Sequence, residues 1–273
     1  MKQKLVKIIL ILAGVSFIVV MLVLPLAVVL AYALRQGWKT FITAILDGYT
    51  IKALQLTLLA TALTIAANTF FGVFASWAIA KFRFRGKQIL TTLIDIPFAI
   101  SPVIAGLVFI LVFGRIGWAY PFLQAHDIKI VFATPGIVLA TIFVTFPFVS
   151  REMIPLMESQ GTDEEEAAAL MGARGLKIYR KVTFPHVRWA LLYGVILCTA
   201  RAMGEFGAVS VVSGHLRGKT NTLPLHVEIL FNEFHLTEAF AVSSILVIMA
   251  IIILVLRNIV EFKVKKGKTD DVC

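Results

Sequence analysis

Residues 165–185, EEAAALMGARGLKIYRKVTFP, put acidic, small and basic side chains in an order suited to gripping another protein rather than to transforming a substrate. Glu165 and Glu166 precede Ala167 and Ala168, and Gly172, Ala173, Arg174 and Gly175 follow, ahead of a basic run that ends at Pro185. Two other places hold polar groups among apolar neighbours: Asp95 with Pro97, Ser101 and Pro102, and Arg201 with Gly204, Glu205 and Gly207. None of these suits covalent chemistry. The chain has no phosphate-cradling G-x-x-x-x-G-K-[ST] loop and no Ser, His, Asp arrangement of credible spacing. His215, His226 and His235 lack metal-ligand spacing and read as surface residues, so no catalytic residue and no metal is expected.

The 165–185 stretch reads as helix, turn, helix. Thr162 and Glu165 have capping-box spacing, and Asp163, Glu164 and Glu165 put negative charge where the helix dipole favours it. Ala167 to Leu170 are good helix formers, while Gly172 and Gly175 can take the left-handed backbone that ends a helix and redirects the chain. A second short helix is expected over residues 176–182, stopped by Pro185, which lacks a donor and clashes with the preceding turn. The product is a rigid knob, for which a bulky side chain at Gly172 would be ruinous.

The elements that must carry this knob are membrane helices. The chain is 59% hydrophobic and only 15% charged, with mean hydropathy +0.90, against about 25% charged in soluble domains. Six stretches reach spanning length, with some tolerance for proline: residues 8–34, 51–80, 89–113, 136–150, 189–212 and 239–260. The first is too long for a signal-peptide core and is read as a retained anchor. Eighteen of the 26 lysines and arginines fall on one side of this arrangement and seven on the other, with Arg201 inside a span. The positive-inside rule then makes both termini and the knob cytoplasmic. The net charge of +10 therefore signals orientation rather than nucleic-acid binding, and residues 81–87, KFRFRGK, read as a turn resting on anionic lipid. Cys198 and Cys273 lie in unlike environments and imply neither a disulfide nor a metal site. One membrane domain is expected over 1–273, with a cytoplasmic loop at 151–187 and a cytoplasmic tail at 261–273.

Two spans carry more than an anchor needs. Pro97 and Pro102 remove backbone hydrogen bonds from the third, and unpaired backbone survives in hydrocarbon only when shielded by protein or facing a water-filled cavity. Asp95, Pro97, Ser101 and Pro102 are pathway candidates on that ground; a kink that only shapes packing is the alternative. In the fifth span Arg201 and Glu205 are four apart on one helical face, so they can pair, and burial is too costly for them to face lipid. A structural latch is favoured over an anion site because Glu205 cancels the field of Arg201. Gly204 and Gly207 let backbones approach there, as at a gate or subunit interface.

Glu166, Ala167, Ala168, then Gly172, then Val182 and Pro185 resemble the EAA loop of ATP-binding-cassette importer permeases, with Val182 and Phe184 in place of the usual Ile and Leu. The segments DIPFAISPVIAGLVFI, TIFVTFPFVSREMIP and RAMGEFGAVSVVSG extend the resemblance, from about Thr57 to Leu256, to sulfate and thiosulfate importer permeases of the CysW type, with molybdate permeases as relatives. The resemblance implies an all-α membrane protein with the type I importer fold of six transmembrane helices and cytoplasmic coupling helices, in a bacterial inner membrane. It implies no cofactor in this chain, since ATP and Mg²⁺ bind a partner. The implied partners are a pair of ATPase subunits gripped by the loop from Glu165 to Gly175, a sister permease chain, an external sulfate-binding protein and lipid. A tetrahedral dianion would pass by alternating access. Molybdate or tungstate is the alternative cargo, and a secondary transporter, which gives no reason for the knob, is the weaker class alternative.

Overall fold

The computed structural model describes residues 2–270, apart from the side chains at 2, 3, 5 and 263–270; Cys273 and the end of the expected tail lie outside the described residues. Among the described residues fifteen α-helices and two π turns account for the regular structure, and there is no strand. Among the described residues five helical runs are long and apolar enough to cross a membrane: Val6–Ala33, Gly48–Lys81, Thr134–Ser159, Gly175–Met203 and Leu236–Phe262. A sixth span is the pair α5 (Lys87–Ala99) and α6 (Pro102–Phe113), bent by 109° at the break. Hydropathy therefore located all six stretches, but the third is broken rather than straight.

The first span consists of α1 (Lys2–Ile18) and α2 (Leu24–Ala33) joined by the π turn Val19–Val23. Its apolar side chains are largely exposed, and its α2 half packs on the final helix, α15 (Leu236–Asp270). A short helix, α3 (Trp38–Leu46), then leads to α4 (Gly48–Lys81), whose start is capped by Asp47 accepting from the amides of Tyr49 and Thr50 at 2.8 and 3.3 Å. With 34 residues, α4 is roughly 50 Å long at 1.5 Å per residue, well beyond the about 30 Å of hydrocarbon. Thr57, Thr61, Thr64, Asn68, Gly72 and Ser76 form its buried face. Small residues at this spacing let neighbouring helices approach, and a Cβ on Gly72 would lie 2.9 Å from Val149. Asn68 bridges this face to its neighbours through Thr145 Oγ1 at 2.8 Å.

After α6 and the short α7 (Tyr120–Ala125), the fourth span is α8 (Thr134–Thr145) continued by α9 (Pro147–Ser159). It begins at Thr134, two residues before the expected start, and its helix carries nine residues past 150, so the first part of the expected 151–187 loop is helical extension. The loop proper holds α10 (Asp163–Leu170) and α11 (Gly175–Ile178). Contrary to the expectation that Pro185 stops the second loop helix, the chain stays helical through it. The π turn Tyr179–Thr183 carries α11 straight into α12 (Phe184–Met203), Phe184 N–H reaching back to Tyr179 O. The wider turn makes room for the proline ring and absorbs the missing bond. The same device precedes Pro25.

The fifth span is also broken, because α12 ends at Met203 and α13 (Gly207–Ser213) starts afresh. Beyond it, Leu223, Leu225 and His226 of α14 (Leu223–Asn232) are buried and the helix packs on α4 and α15. His226, read from sequence as a surface residue, lies 3.2 Å from Thr50 Oγ1. His215 and His235 stay at the surface beside Glu228 and Glu238.

Candidate docking loop and membrane breaks

At the knob, α10 ends in a hydrogen-bonded pair of turns: Gly172 N–H to Ala169 O at 2.9 Å and Ala173 N–H to Ala168 O at 3.1 Å. This Schellman arrangement needs a left-handed residue, and Gly172 has φ +84°. Nothing lies within 4 Å of where its Cβ would be, so conformation and not crowding demands glycine. Gly175 behaves differently from expectation: it is the first residue of α11, and Arg174 before it is extended. The turn pushes Leu170 and Met171 out to 90% and 85% exposure, with Leu176 also exposed. Gly172, Arg174, Leu176, Lys177, Arg180 and Lys181 line a cavity of about 650 Å³ beside them. An apolar tip rimmed by cations is what a knob for a complementary protein surface requires.

The capping box is not formed. Thr162 keeps a hydroxyl bond to Glu166 at 2.8 Å, while Glu165 turns inward to accept from Thr183 at 2.5 Å and to pair with Lys81 Nζ at 3.1 Å. A buried cation and hydroxyl hold a carboxylate better than one backbone amide does, so tertiary contact overrides the local cap. Glu165 thereby leaves the exposed gripping surface assigned to it from sequence. Lys81 is likewise internal, whereas Lys87 stays partly exposed while pairing with Glu158 at 3.1 Å. Lys81 and Thr183 carry no local signal that they belong to the site, because their partner Glu165 lies 84 and 18 residues away.

In the membrane, the breaks of the third and fifth spans meet. A Cβ on Gly207 would lie 2.9 Å from Pro102 Cβ, and one on Gly106 only 2.7 Å from Ala208 O. A Cβ on Gly204 would meet only Ala200 O, at 3.8 Å, so within this chain the close approach is made by Gly106 and Gly207. Ser101 is exposed and caps α6 without a side-chain bond, and Pro97 is buried inside α5. Asp95 pairs with Arg151 Nε at 2.8 Å in a partly exposed contact, and the guanidinium lies 4.4 Å from the Phe98 ring centre. Arg201 and Glu205 are in contact at 2.6 Å across the break rather than along one helix. The other oxygen of Glu205 accepts from Ala208 N–H at 2.8 Å, so one buried carboxylate ties α12 to the start of α13. Among the described residues no group of three or more His, Cys, Asp or Glu is placed to hold a metal ion.

A polytopic bundle with two broken spans and a projecting helical knob has the build of a membrane permease subunit. The chain belongs to the binding-protein-dependent transport system inner membrane components, whose family model matches residues 68–266. It is 47% identical over 252 residues to a sulfate transport system permease protein CysW of Synechococcus elongatus, covering 92% of this chain and 88% of that one. The Escherichia coli K12 protein of the same name is 44% identical over 244 residues, covering 89% and 84%. A CysT sulfate permease of Salmonella typhimurium is 32% identical over 245 residues, covering 90% and 88%. In fold, the chain matches a bacterial alginate ABC transporter crystallised with its oligosaccharide-bound periplasmic protein, with a TM-score of 0.80 over 97% of this chain and 96% of that one at 16% identity. Membership of this family excludes the secondary-transporter alternative.

Proposed function

We propose that this chain is the membrane permease subunit of an ATP-driven sulfate importer, gripped through its coupling loop by a separate ATPase. The exposed Leu170 and Met171, held out by the left-handed Gly172 turn over a basic groove, carry this reading. Such a surface is unstable in water and fits a partner with an apolar cleft and acidic rim. Sulfate is favoured over molybdate because the relatives at 44–47% identity are named for sulfate; thiosulfate shares the tetrahedral dianion shape and is carried by the same route.

In the complex, two ATPase subunits hold ATP and Mg²⁺, and a sister permease related to this chain as the CysT proteins are completes the path. An external binding protein delivers the anion to the outer face, and anionic lipid surrounds the exposed first span. Both termini and the coupling loop are cytoplasmic. ATP-driven movement of the knob swings the spans, and the meeting of the two breaks, at Pro102 and Gly207 beside the Arg201–Glu205 latch, is where the path opens and closes. The docking residues Glu166, Ala167, Ala168, Gly172, Ala173, Arg174 and Gly175 shape the knob.

The test is uptake of labelled sulfate in cells lacking this chain, with and without its restoration and with excess molybdate as competitor. Restored uptake that resists molybdate supports the reading. Failure to restore sulfate uptake, with labelled molybdate taken up instead, contradicts the substrate.

A further inference from the structure

Among the described residues, several ion pairs join the coupling loop or its entry helix to the rest of the molecule, and they are not equivalent. Lys87–Glu158 and His186–Glu164 have both side chains about 40% exposed or more, where water and salt leave little net attraction. Lys81–Glu165 is different: the side chains are 6% and 18% exposed. Lys81 Nζ also donates to Gly161 O at 2.5 Å, in the turn that enters α10, and Glu165 accepts from Thr183, itself buried in the π turn that leaves the loop. One cation and one carboxylate thus fasten the entrance, the first helix and the exit of the loop to the last residue of α4. Trp77, one turn earlier on α4, adds a ring contact of 4.9 Å with Tyr179.

The far end of α4 is anchored as well. Thr57 Oγ1 accepts from Leu223 N–H at 2.7 Å, and Thr50 meets His226, both on α14. Between these anchors α4 runs without a break, whereas the third and fifth spans are interrupted between α5 and α6 and between α12 and α13. An unbroken helix fixed at both ends transmits displacement; a broken one absorbs it.

We propose that Lys81 and Glu165 are positioning residues that lock the coupling loop to α4, making α4 the rod that carries ATP-driven movement of the knob to α14 on the opposite face. This rests on the docking reading above and adds which helix receives the stroke. Neither residue belongs to the gripping surface, so losing the lock separates ATP hydrolysis from transport without releasing the ATPase.

The test uses the full importer, with its ATPase, sister permease and binding protein, in liposomes. Lys81→Met and Glu165→Gln are expected to retain the ATPase and hydrolyse ATP but to import at least tenfold less sulfate per ATP, and the exchanged pair Lys81→Glu with Glu165→Lys to recover most of the loss. Unchanged sulfate per ATP in both single variants would overturn the proposal. So would loss of the ATPase in step with transport, since the two residues would then be part of the grip. A readout that needs neither sulfate nor the ATPase keeps the lock separate from the docking reading: spin labels at the exposed positions 82 and 170 of the permease. The distance distribution should be narrow in the wild type and clearly broader in Lys81→Met; equal widths would overturn the lock even if docking stands.

Discussion

Gly172 in the coupling loop and Gly106 at the crossing of the broken spans are both indispensable glycines on this reading, for opposite reasons. Gly172 has φ +84° and nothing within 4 Å of its missing Cβ. Gly106 sits inside a regular helix, yet a Cβ there would be 2.7 Å from a backbone oxygen of α13 and 2.9 Å from Val211 Cβ. The knob uses glycine for a backbone angle and leaves its surroundings open for a partner; the crossing uses glycine for volume and is closed. The two regions should therefore respond oppositely to the same substitutions.

The largest effect is expected at the crossing. Gly106→Val drives a side chain into backbone that cannot yield locally, at about 3 kcal/mol, the upper part of the usual overpacking range. The amount of folded permease recovered from membranes should fall several-fold, with any remaining transport falling in parallel. Next comes Arg201→Ala, which strands the buried carboxylate of Glu205. Because Arg201 is one-third exposed, the full loss seen for buried pairs is discounted to about 2 kcal/mol. Thermal unfolding in detergent should drop, and the double variant Arg201→Ala with Glu205→Gln should regain part of it. A double variant no better than the single would mean that the pair is not a latch.

At the knob the cost is smaller and local. Gly172→Val forces a β-branched residue into left-handed backbone, at about 1–3 kcal/mol confined to the loop, while Gly172→Asn, which tolerates that backbone, should stay close to wild type. Membrane levels should be normal in both, measured by the amount of permease extracted; a fall for both alike would show that space, not conformation, is at stake.

The smallest effect is at His226, outside the spans. Burial beside Thr50 pushes this imidazole below its ordinary value. The unfolded chain then binds the proton more readily, so stability is full above pH about 6.5 and declines as pH falls below it, by at most about 1.4 kcal/mol per pH unit. Melting temperatures at pH 7.5 and 5.5 should differ less in His226→Gln than in the wild type.

Much of this molecule is legible in the sequence because its solvent is unusual. Apolar runs of about 20 residues can do little but span, so hydropathy alone locates all six stretches, and the loop motif locates the knob. Local signals say less about degree. Pro97 and Pro102 announced a disturbed helix but not a 109° bend, and Pro185 read as a stop because nothing local reveals that a π turn will accommodate it. The Arg201–Glu205 spacing found the pair yet assumed a helix that breaks between them. Long-range contacts were out of reach: Glu165 had capping-box spacing, and only the fold brings Lys81 to it and buries His226 under α14.

The most direct measurement purifies the permease complex carrying Gly172→Val or Gly172→Asn and determines the ATPase subunit retained per permease, together with sulfate uptake in the same cells. The structure predicts that Asn retains the ATPase and transports while Val, at normal membrane levels, loses both. A valine variant that still holds its ATPase and imports sulfate normally would contradict the coupling-loop reading.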